Sequence, residues 1–428
     1  MLCASLGTAA LMTLSCGRHL PDRFDVTIIG IDGASWRVID PLLAEGELPH
    51  VARLLAEGVG APLQSRRPLV SPAVWTTIAT GVPRNRHGIR SFRGARGGLV
   101  SSRDRRVPAL WTQASAAGIR TAVIGWWATY PAEQIDGAII SERALKIRDA
   151  DLQDMFRGRL SAIELGTLVY PPEIADLVGE VLATPQAPGG QERYTPEAQR
   201  DRMRAEDDAI VDALARLRAR MGPFGLEMVL LRGVDVVSHF FWKFHEPDAA
   251  VYPEAERPTP DEVARYGRTI ADHYRHVDAL LSTLGATGSR SHVVVLLSDH
   301  GFEAGRQRFH HGLLSGTHKS DAALYGILVA AGGPLRRGVR LAEASILDVA
   351  PTVLHLLGLP IPGDVAGAVL TEALEPVWLQ AHPEHRSEAS ATAATKPSAG
   401  PTGEQDDDTR SPTDKLMEKE LKALGYIE

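Results

Sequence analysis

An α/β architecture is predicted, with a mainly parallel sheet covered by helices on both faces. Three observations predict it. Strand-like apolar runs alternate with stretches of helical spacing along most of the chain. Two of the runs, Val26–Ile31 and Val293–Leu297, are almost wholly apolar, as strands buried on both faces must be. Both lead into residues that bind metals, Asp32-Gly33 and Asp299-His300-Gly301. Open α/β sheets place their ligands at the carboxyl ends of strands, next to such turns.

The elements follow in order. After Pro21 comes the first strand, closed by Asp32-Gly33. Val38 to Gly58 carries Leu42, Leu43, Leu54 and Leu55 at helical spacing. Ser71-Pro72 then precedes an apolar helix running to Thr80, with Ser71 expected as its N-cap. A helix over Val107–Ala117 leads to a strand over Thr121–Gly125. The rhythm resumes at the strand Leu226–Leu231. Asp261–Leu284 is an amphipathic helix with Ile270, Tyr274, Val277, Leu281 and Leu284 on one stripe. The Asp299-His300 strand, a loop to His318, a strand over Leu324–Ala330 and a helix over Ile346–Leu357 complete it.

Four regions are expected. Residues 1–20 are signal-like or disordered, and 21–382 form the α/β domain that carries these strand ends. Within it, 141–225 is polar and Arg-rich, with Pro185-Gln-Ala-Pro-Gly-Gly190 and a charged helix over Pro196–Arg220. This segment is an expected insertion, a cap over the sheet. Residues 383–412 are a solvated linker, rich in Ala, Ser, Thr, Pro and acidic residues. Residues 413–428 carry a short helix that docks back through Leu416, Leu421 and Leu424.

Composition narrows the function. A net charge of -7 disfavours a general nucleic-acid binder, which carries a basic excess. The two cysteines, Cys3 and Cys16, both lie near the start. Any metal held by the body of the protein must therefore use carboxylate and imidazole. Leu2–Ser15 is small and apolar, of signal-peptide length and too short to span a bilayer. Export is the expectation, to the periplasm or as a lipoprotein anchored at Cys16, with a cytoplasmic protein as the alternative. Nothing in the sequence sets an oligomeric state.

Asp32, Ser71, Asp235, His239, Asp299, His300 and His318 form the candidate site. Asp235 and His239 are four residues apart, on one helical face. Imidazole and carboxylate suit zinc and manganese. Two cations can clamp the attacking and leaving oxygens of a displacement at phosphorus. Three aspartates and one alkoxide sum to minus four, which two divalent cations cancel. Ser71 at a helix start would also feel the helix dipole. The expected reaction is hydrolysis of a small-molecule phosphate ester by a two-metal site with a serine nucleophile. Trp75 and Lys243 are candidate substrate contacts, and Lys319, beside His318, is a further lysine that fits either a substrate anion or solvent. His311, beside His310, is the reserve for His318. His87 is read as structural, and His273, His276 and Asp278 as a solvated helix face. Phe240–Phe244 and Trp126-Trp127 fit either a pocket wall or the core.

The chain resembles the alkaline phosphatase superfamily, and within it the type I phosphodiesterase/nucleotide pyrophosphatase family. The resemblance is carried by Ile31-Asp-Gly33, Leu48-Pro-His-Val-Ala-Arg-Leu54, the Ser71–Gly81 segment and Pro83-Arg-Asn-Arg-His-Gly-Ile89. It continues through Asp235-Val-Val-Ser-His239, Ser298-Asp-His-Gly-Phe302, His318 and Ile346–Gly358. It implies a doubly wound α/β sandwich. It implies one cation held by Asp235, His239 and His318, and another held by Asp32, Asp299 and His300 with Ser71 as ligand and nucleophile. It also implies a phosphoserine intermediate. The family commonly has Thr where Ser71 stands and Asn where Val74 stands. Sulfatase chemistry is disfavoured, because Ser71-Pro-Ala-Val-Trp75 lacks that branch's Arg. A phosphoryl transferase or mutase using the same serine, and a non-catalytic metal-binding module of the same fold, are the alternatives.

Overall fold

Strand β1 (Asp25–Ile31) is the axis of the sheet. It pairs in parallel with β6 (Leu226–Leu231) on one side and β7 (His292–Leu297) on the other. Beyond β6 lie β3 (Thr121–Ile124) and β4 (Gly137–Ile140), also parallel, and the short antiparallel β5 (Val169–Tyr170). Beyond β7 lies β10 (Tyr325–Ala331), antiparallel to β7 and to β2 (Gly58–Gln64). The short β11 (Val339–Arg340) and β12 (Ala344–Ser345) run parallel to β2. The order is β11-β2-β10-β7-β1-β6-β3-β4-β5, with β12 also on β2. The computed structural model describes residues 21–94, 97–145, 166–182, 195–309, 312–388, 412–423 and 427.

Five adjacent parallel strands put their carboxyl ends on one edge. The two antiparallel neighbours put the start of β10 and the end of β2 on that same edge. Register then aligns the site. Gly30 pairs with Leu230 on one side and Leu297 on the other, so Asp32 and Asp299 leave their strands at the same level.

Every central strand is buried on both faces. Ile29, Ile31, Val294, Leu296 and Val329 face one helical layer. It contains α1 (Trp36–Ala44), α2 (Pro49–Glu57), α5 (Pro196–Met221), α6 (Gly233–His245) and α7 (Thr269–Thr283). Ile28, Val295, Leu297 and Leu328 face the other. That layer holds α3 (Ser71–Thr80), α4 (Leu110–Ala116) and α8 (Val349–Leu356). At Gly30, a Cβ would stand 2.7 Å from the Trp75 ring, so a bare backbone lets α3 seat against β1.

Differences from expectation have local causes. The Val38–Gly58 stretch is two helices, because Gly46 turns left-handed (φ 73°) and Pro49 begins the second. The Asp261–Leu284 stretch divides into Pro260–Tyr266 and α7. The expected loop to His318 is a hairpin, β8 (Glu303–Phe309) and β9 (Gly312–Thr317). His273 and Asp278 do not form a solvated face. They are buried, because α7 is covered by α2 and α5 as well as by α6. His273 pairs with Asp207 at 3.0 Å, and Asp278 accepts the Val51 amide at 2.8 Å. Trp126, Trp127, Phe241, Trp242 and Phe244 are core residues.

Within 141–225, the charged helix is α5, which packs on α6, α7, β3 and β6 as part of the sandwich. It is amphipathic in placement, with Met203, Ile210, Leu214 and Leu217 in the core. Residues 146–165 and 183–194, where a covering loop was expected, lie outside the described residues, as do the N-terminal segment with Cys16 and 389–411 of the linker. The terminal helix α9 (Pro412–Ala423) docks through Met417 and Leu421. The side chains of Leu416 and Leu424 lie outside the described ones.

Candidate metal centre

Each ligand residue reaches the same sheet edge by its own element. Asp32 follows β1, whose next residue, Gly33, adopts φ 71°. A Cβ on Gly33 would lie 3.1 Å from the Asp235 backbone, so the turn lets α6 approach Asp32 closely. Asp235 sits in the first turn of α6, with His239 one turn further. Asp299 and His300 follow β7, and His318 follows β9.

The cluster is tight and buried. His300 Nε2 lies 3.6 Å from Asp32 Oδ1, 3.5 Å from Asp299 Oδ2 and 4.0 Å from Asp235 Oδ1. His239 Nε2 lies 3.6 Å from Asp235 Oδ1. The His300 and His318 rings stack with centroids 4.1 Å apart, and those of His239 and His318 are 5.4 Å apart. Asp32, Asp299 and His300 form one group whose donor atoms all fall within 4.8 Å of one another. The second such group joins Asp235 and His318 to His300, where the resemblance implies His239. His310 and His311, the reserve, lie outside the described residues.

Two histidines have a preset tautomer. His239 Nδ1 and His300 Nδ1 each lie 2.9 Å from a backbone carbonyl, of Gly316 and Gly301. A carbonyl only accepts, so each Nδ1 carries the proton and Nε2 offers its lone pair to the cluster. This is how ligating imidazoles are held.

The donor set fits cations. Four buried atoms form no hydrogen bond: Asp32 Oδ1, Asp299 Oδ2, His300 Nε2 and His318 Nδ1. Leaving one such atom unsatisfied costs about 1–3 kcal/mol, so three in one group, with His318 joined to them through His300, call for ligands. The electrostatics agree. Burial, then the charges of Asp299 and Asp235, push the Asp32 carboxyl well up. Burial raises Asp299 to about 8, with Asp235 adding to it. Burial lowers His239 and, with help from His300 and His239, drives His318 well down. Neutral imidazoles are the ligating form. Three carboxylates crowded in a dry site need positive charge among them.

Ser71 opens α3, but it is not the cap. Val70 holds the N-cap position without a side-chain hydrogen bond, and Ser71 is the first helical residue. Its hydroxyl is thereby spared from capping. The first-turn amides are mostly taken: Ala73 and Val74 both donate to the Val70 carbonyl, and Pro72 has none. The Ser71 N–H is the amide of this turn that the helix leaves over. Ser71 is buried and shares a helix face with Trp75 one turn on.

Trp75, expected to touch substrate, lies beneath the site. It is fully buried against Gly30 and Trp126, and its Nε1 donates to Asp32 Oδ2 at 3.3 Å. Lys243 also departs from expectation. Its ammonium lies 4.7 Å over the Phe244 ring, and its charge bears on Glu262. The lysine whose charge bears on His239 and His318 is Lys319, next to His318 in the chain. Sequence reading also missed Tyr274, whose hydroxyl accepts the Ser35 amide at 3.0 Å behind Gly33. A tyrosine on an apolar helix stripe carries no signal for that bond. His87 is structural, as read. Its Nδ1 accepts the Ile89 amide and its Nε2 lies 3.0 Å from Thr77 Oγ1. Burial, helped by the Arg105 charge, lowers it to about 3, so the ring is neutral.

Several solved structures superpose on the chain at low identity. Murine ectonucleotide pyrophosphatase/phosphodiesterase 5, in an inactive form complexed with AMP, superposes with a TM-score of 0.49 at 13% identity, over 78% of this chain and 95% of that one. The alkaline phosphatase PafA gives 0.49 at 12%, over 83% and 100%. A 2-O GAG sulfatase gives 0.51 at 12%, over 86% and 76%, a likeness of fold. No curated protein matches the chain in sequence. The family model described as type I phosphodiesterase/nucleotide pyrophosphatase matches residues 26–334, which span β1 to β10 and every candidate ligand. The chain therefore belongs to the type I phosphodiesterase/nucleotide pyrophosphatase family, and is a hydrolase of phosphate esters.

Proposed function

We propose that the chain cleaves small phosphate mono- or diesters through a covalent intermediate on Ser71, with two divalent cations in the cluster. Asp32, Asp299, His300 and Ser71 would hold one, and Asp235, His239 and His318 the other. An Asp and His donor set without Cys favours zinc, then manganese. When bound, the cations supply charge that neutralises the carboxylates, favours the seryl alkoxide and screens the phosphoryl oxygens.

The protein's own groups do the rest. The Gly316 and Gly301 carbonyls fix the His239 and His300 rings. Trp75 steers Asp32 from below. The Ser71 Oγ attacks phosphorus while the alcohol leaves with its electron pair and takes up a proton. Water then attacks the phosphoserine, releasing phosphate or a phosphomonoester and restoring the hydroxyl.

The observation that carries this reading is the pair of buried donor groups that share His300 and leave Asp32, Asp299, His300 and His318 atoms unbonded, with the Trp75–Asp32 hydrogen bond bringing the serine helix alongside. The test is turnover of 4-nitrophenyl phosphate and bis(4-nitrophenyl) phosphate with defined metals. Ser71→Ala should abolish turnover, and denaturing mass spectrometry of quenched wild type should find phosphate on Ser71. Unchanged rates in Ser71→Ala overturn the proposal. Export and lipidation at Cys16 belong to the same reading; the mature N-terminus, found by mass spectrometry, tests them, and an intact Met1 refutes both.

A further inference from the structure

A cavity of about 290 Å³ opens beside the serine helix, where Val74, three residues on from Ser71, lines it. Its floor is Val74 and Thr77 of α3, and its polar wall is Arg66, Arg67, Arg84 and Asn85. No acidic residue lines it.

Its position follows from the topology. Arg66 and Arg67 lie just beyond β2, whose end shares the edge that carries Asp299 and His300. The chain runs from there through Pro68 to Ser71. Arg67 binds the carbonyl of Lys319 at 2.8 Å and the Asp321 carboxylate at 2.9 Å. One wall of the cavity is therefore tied to the residue that follows His318, and the same wall leads by chain into Ser71.

The other two arginines are differently placed. Among the described residues, Arg66 and Arg84 make no ion pair. Both are exposed, so neither bears the cost of burying a charge. Arg86, two residues after Arg84 in the chain, is instead neutralised by Asp364 at 2.6 Å. In a chain of net charge -7, this leaves two uncommitted guanidiniums on one concave pocket against the helix that carries the nucleophile. Guanidinium forks match carboxylate and phosphate geometry. The metal centre, charge-balanced when loaded, supplies no net charge to select anions.

We infer that this cavity is a second anion subsite: it takes a carboxylate or phosphoryl group elsewhere on the substrate, held between Arg66 and Arg84. The preferred substrates are then phosphate esters that carry at least one further negative group. The inference rests on the Ser71 reading above.

Non-hydrolysable phosphonates separate the two. Zinc-loaded wild type is titrated calorimetrically with matched pairs: phenylphosphonate and 4-carboxyphenylphosphonate, then propylphosphonate and 3-phosphonopropionate. A carboxylated member should bind about 10-fold more tightly than its partner, the scale of one charge-assisted contact. The ratio should fall to about one in Arg66→Ala/Arg84→Ala and largely return in Arg66→Lys/Arg84→Lys. Replacing carboxylate by a second phosphonate distinguishes the two anion classes. Equal affinities within both wild-type pairs overturn the inference, as does a ratio that survives the double alanine variant. Failure of the plain phosphonates to bind overturns the Ser71 reading itself, and this inference with it. Melting curves of the variants, whose changes are at the surface, establish that they fold.

Discussion

Trp75 Nε1 stands 3.3 Å from Asp32 Oδ2, so one hydrogen bond beneath the cluster joins the helix of Ser71 to the strand of Asp32. An indole nitrogen only donates, and it fixes which carboxylate oxygen is left for a cation. The other oxygen, Oδ1, is the one without a hydrogen bond. Trp75→Phe keeps most of the packing and removes the donor. Zinc affinity, measured by competition with a chelating dye, should fall about 10-fold or more, as for other partners of metal ligands. Unaltered affinity would show that the bond serves packing alone.

Acidity in the cation-free protein gives a second prediction. Burial raises Asp299 from 3.8 to about 8, and Asp32 moves the same way. A carboxyl with a raised folded pKa binds its proton more tightly in the folded chain. Its contribution to stability is complete below the unfolded value and is lost as pH rises through the folded one. Below about pH 7 the buried neutral His239 and His318 pull the other way, so chelator-treated protein should lose melting temperature between pH 7 and pH 9. Zinc-loaded protein should not follow that decline. Asp299→Asn should flatten the slope in the chelated form, and an identical slope in that variant would count against the assignment.

Gly33 gives a third. At φ 71° a side chain costs about 1–2 kcal/mol. The added carbon of Gly33→Ala would also press on Asp235 at 3.1 Å. Denaturant unfolding should show a loss of that order. The kcat on 4-nitrophenyl esters should drop further than stability alone explains, because Asp235 must shift.

The terminal helix supplies a fourth. Glu420 is buried and pairs with Arg202 at 2.8 Å, while Asp414 binds Arg143 and Glu418 binds Arg93. Glu420→Ala removes a carboxylate from a nearly buried guanidinium, a change that costs about 3 kcal/mol. The readout is the urea midpoint. A shift near zero would mean that the helix is not docked in solution.

Some of this was legible in the sequence and some was not. β1, β6 and β7 are mostly apolar runs, so their ends, and with them Asp32, Asp299 and His300, could be placed without a structure. Asp235 and His239 were legible because helical spacing binds them to one face. The hairpin before His318 was missed, since Glu303–Phe309 alternates without an apolar face. The burial of His273 and Asp278 was missed for another reason: a helix pattern reveals one partner face, and α7 has several. Trp75 was assigned to the substrate because aromatic residues near a nucleophile suit both a wall and a floor. Only the bare Cα of Gly30 beneath it decides between them.

The pairing of Gly30 with Leu297 has a consequence beyond geometry. Sliding one strand past its neighbour by a single residue moves a carboxylate by about 3.3 Å and turns it to the opposite side of the sheet. A chain that zipped up one step out of line could still hide its greasy residues, but it would have no place for a doubly charged ion. Uptake of the first ion would then act as proofreading, rewarding the sole alignment in which distant parts of the chain agree.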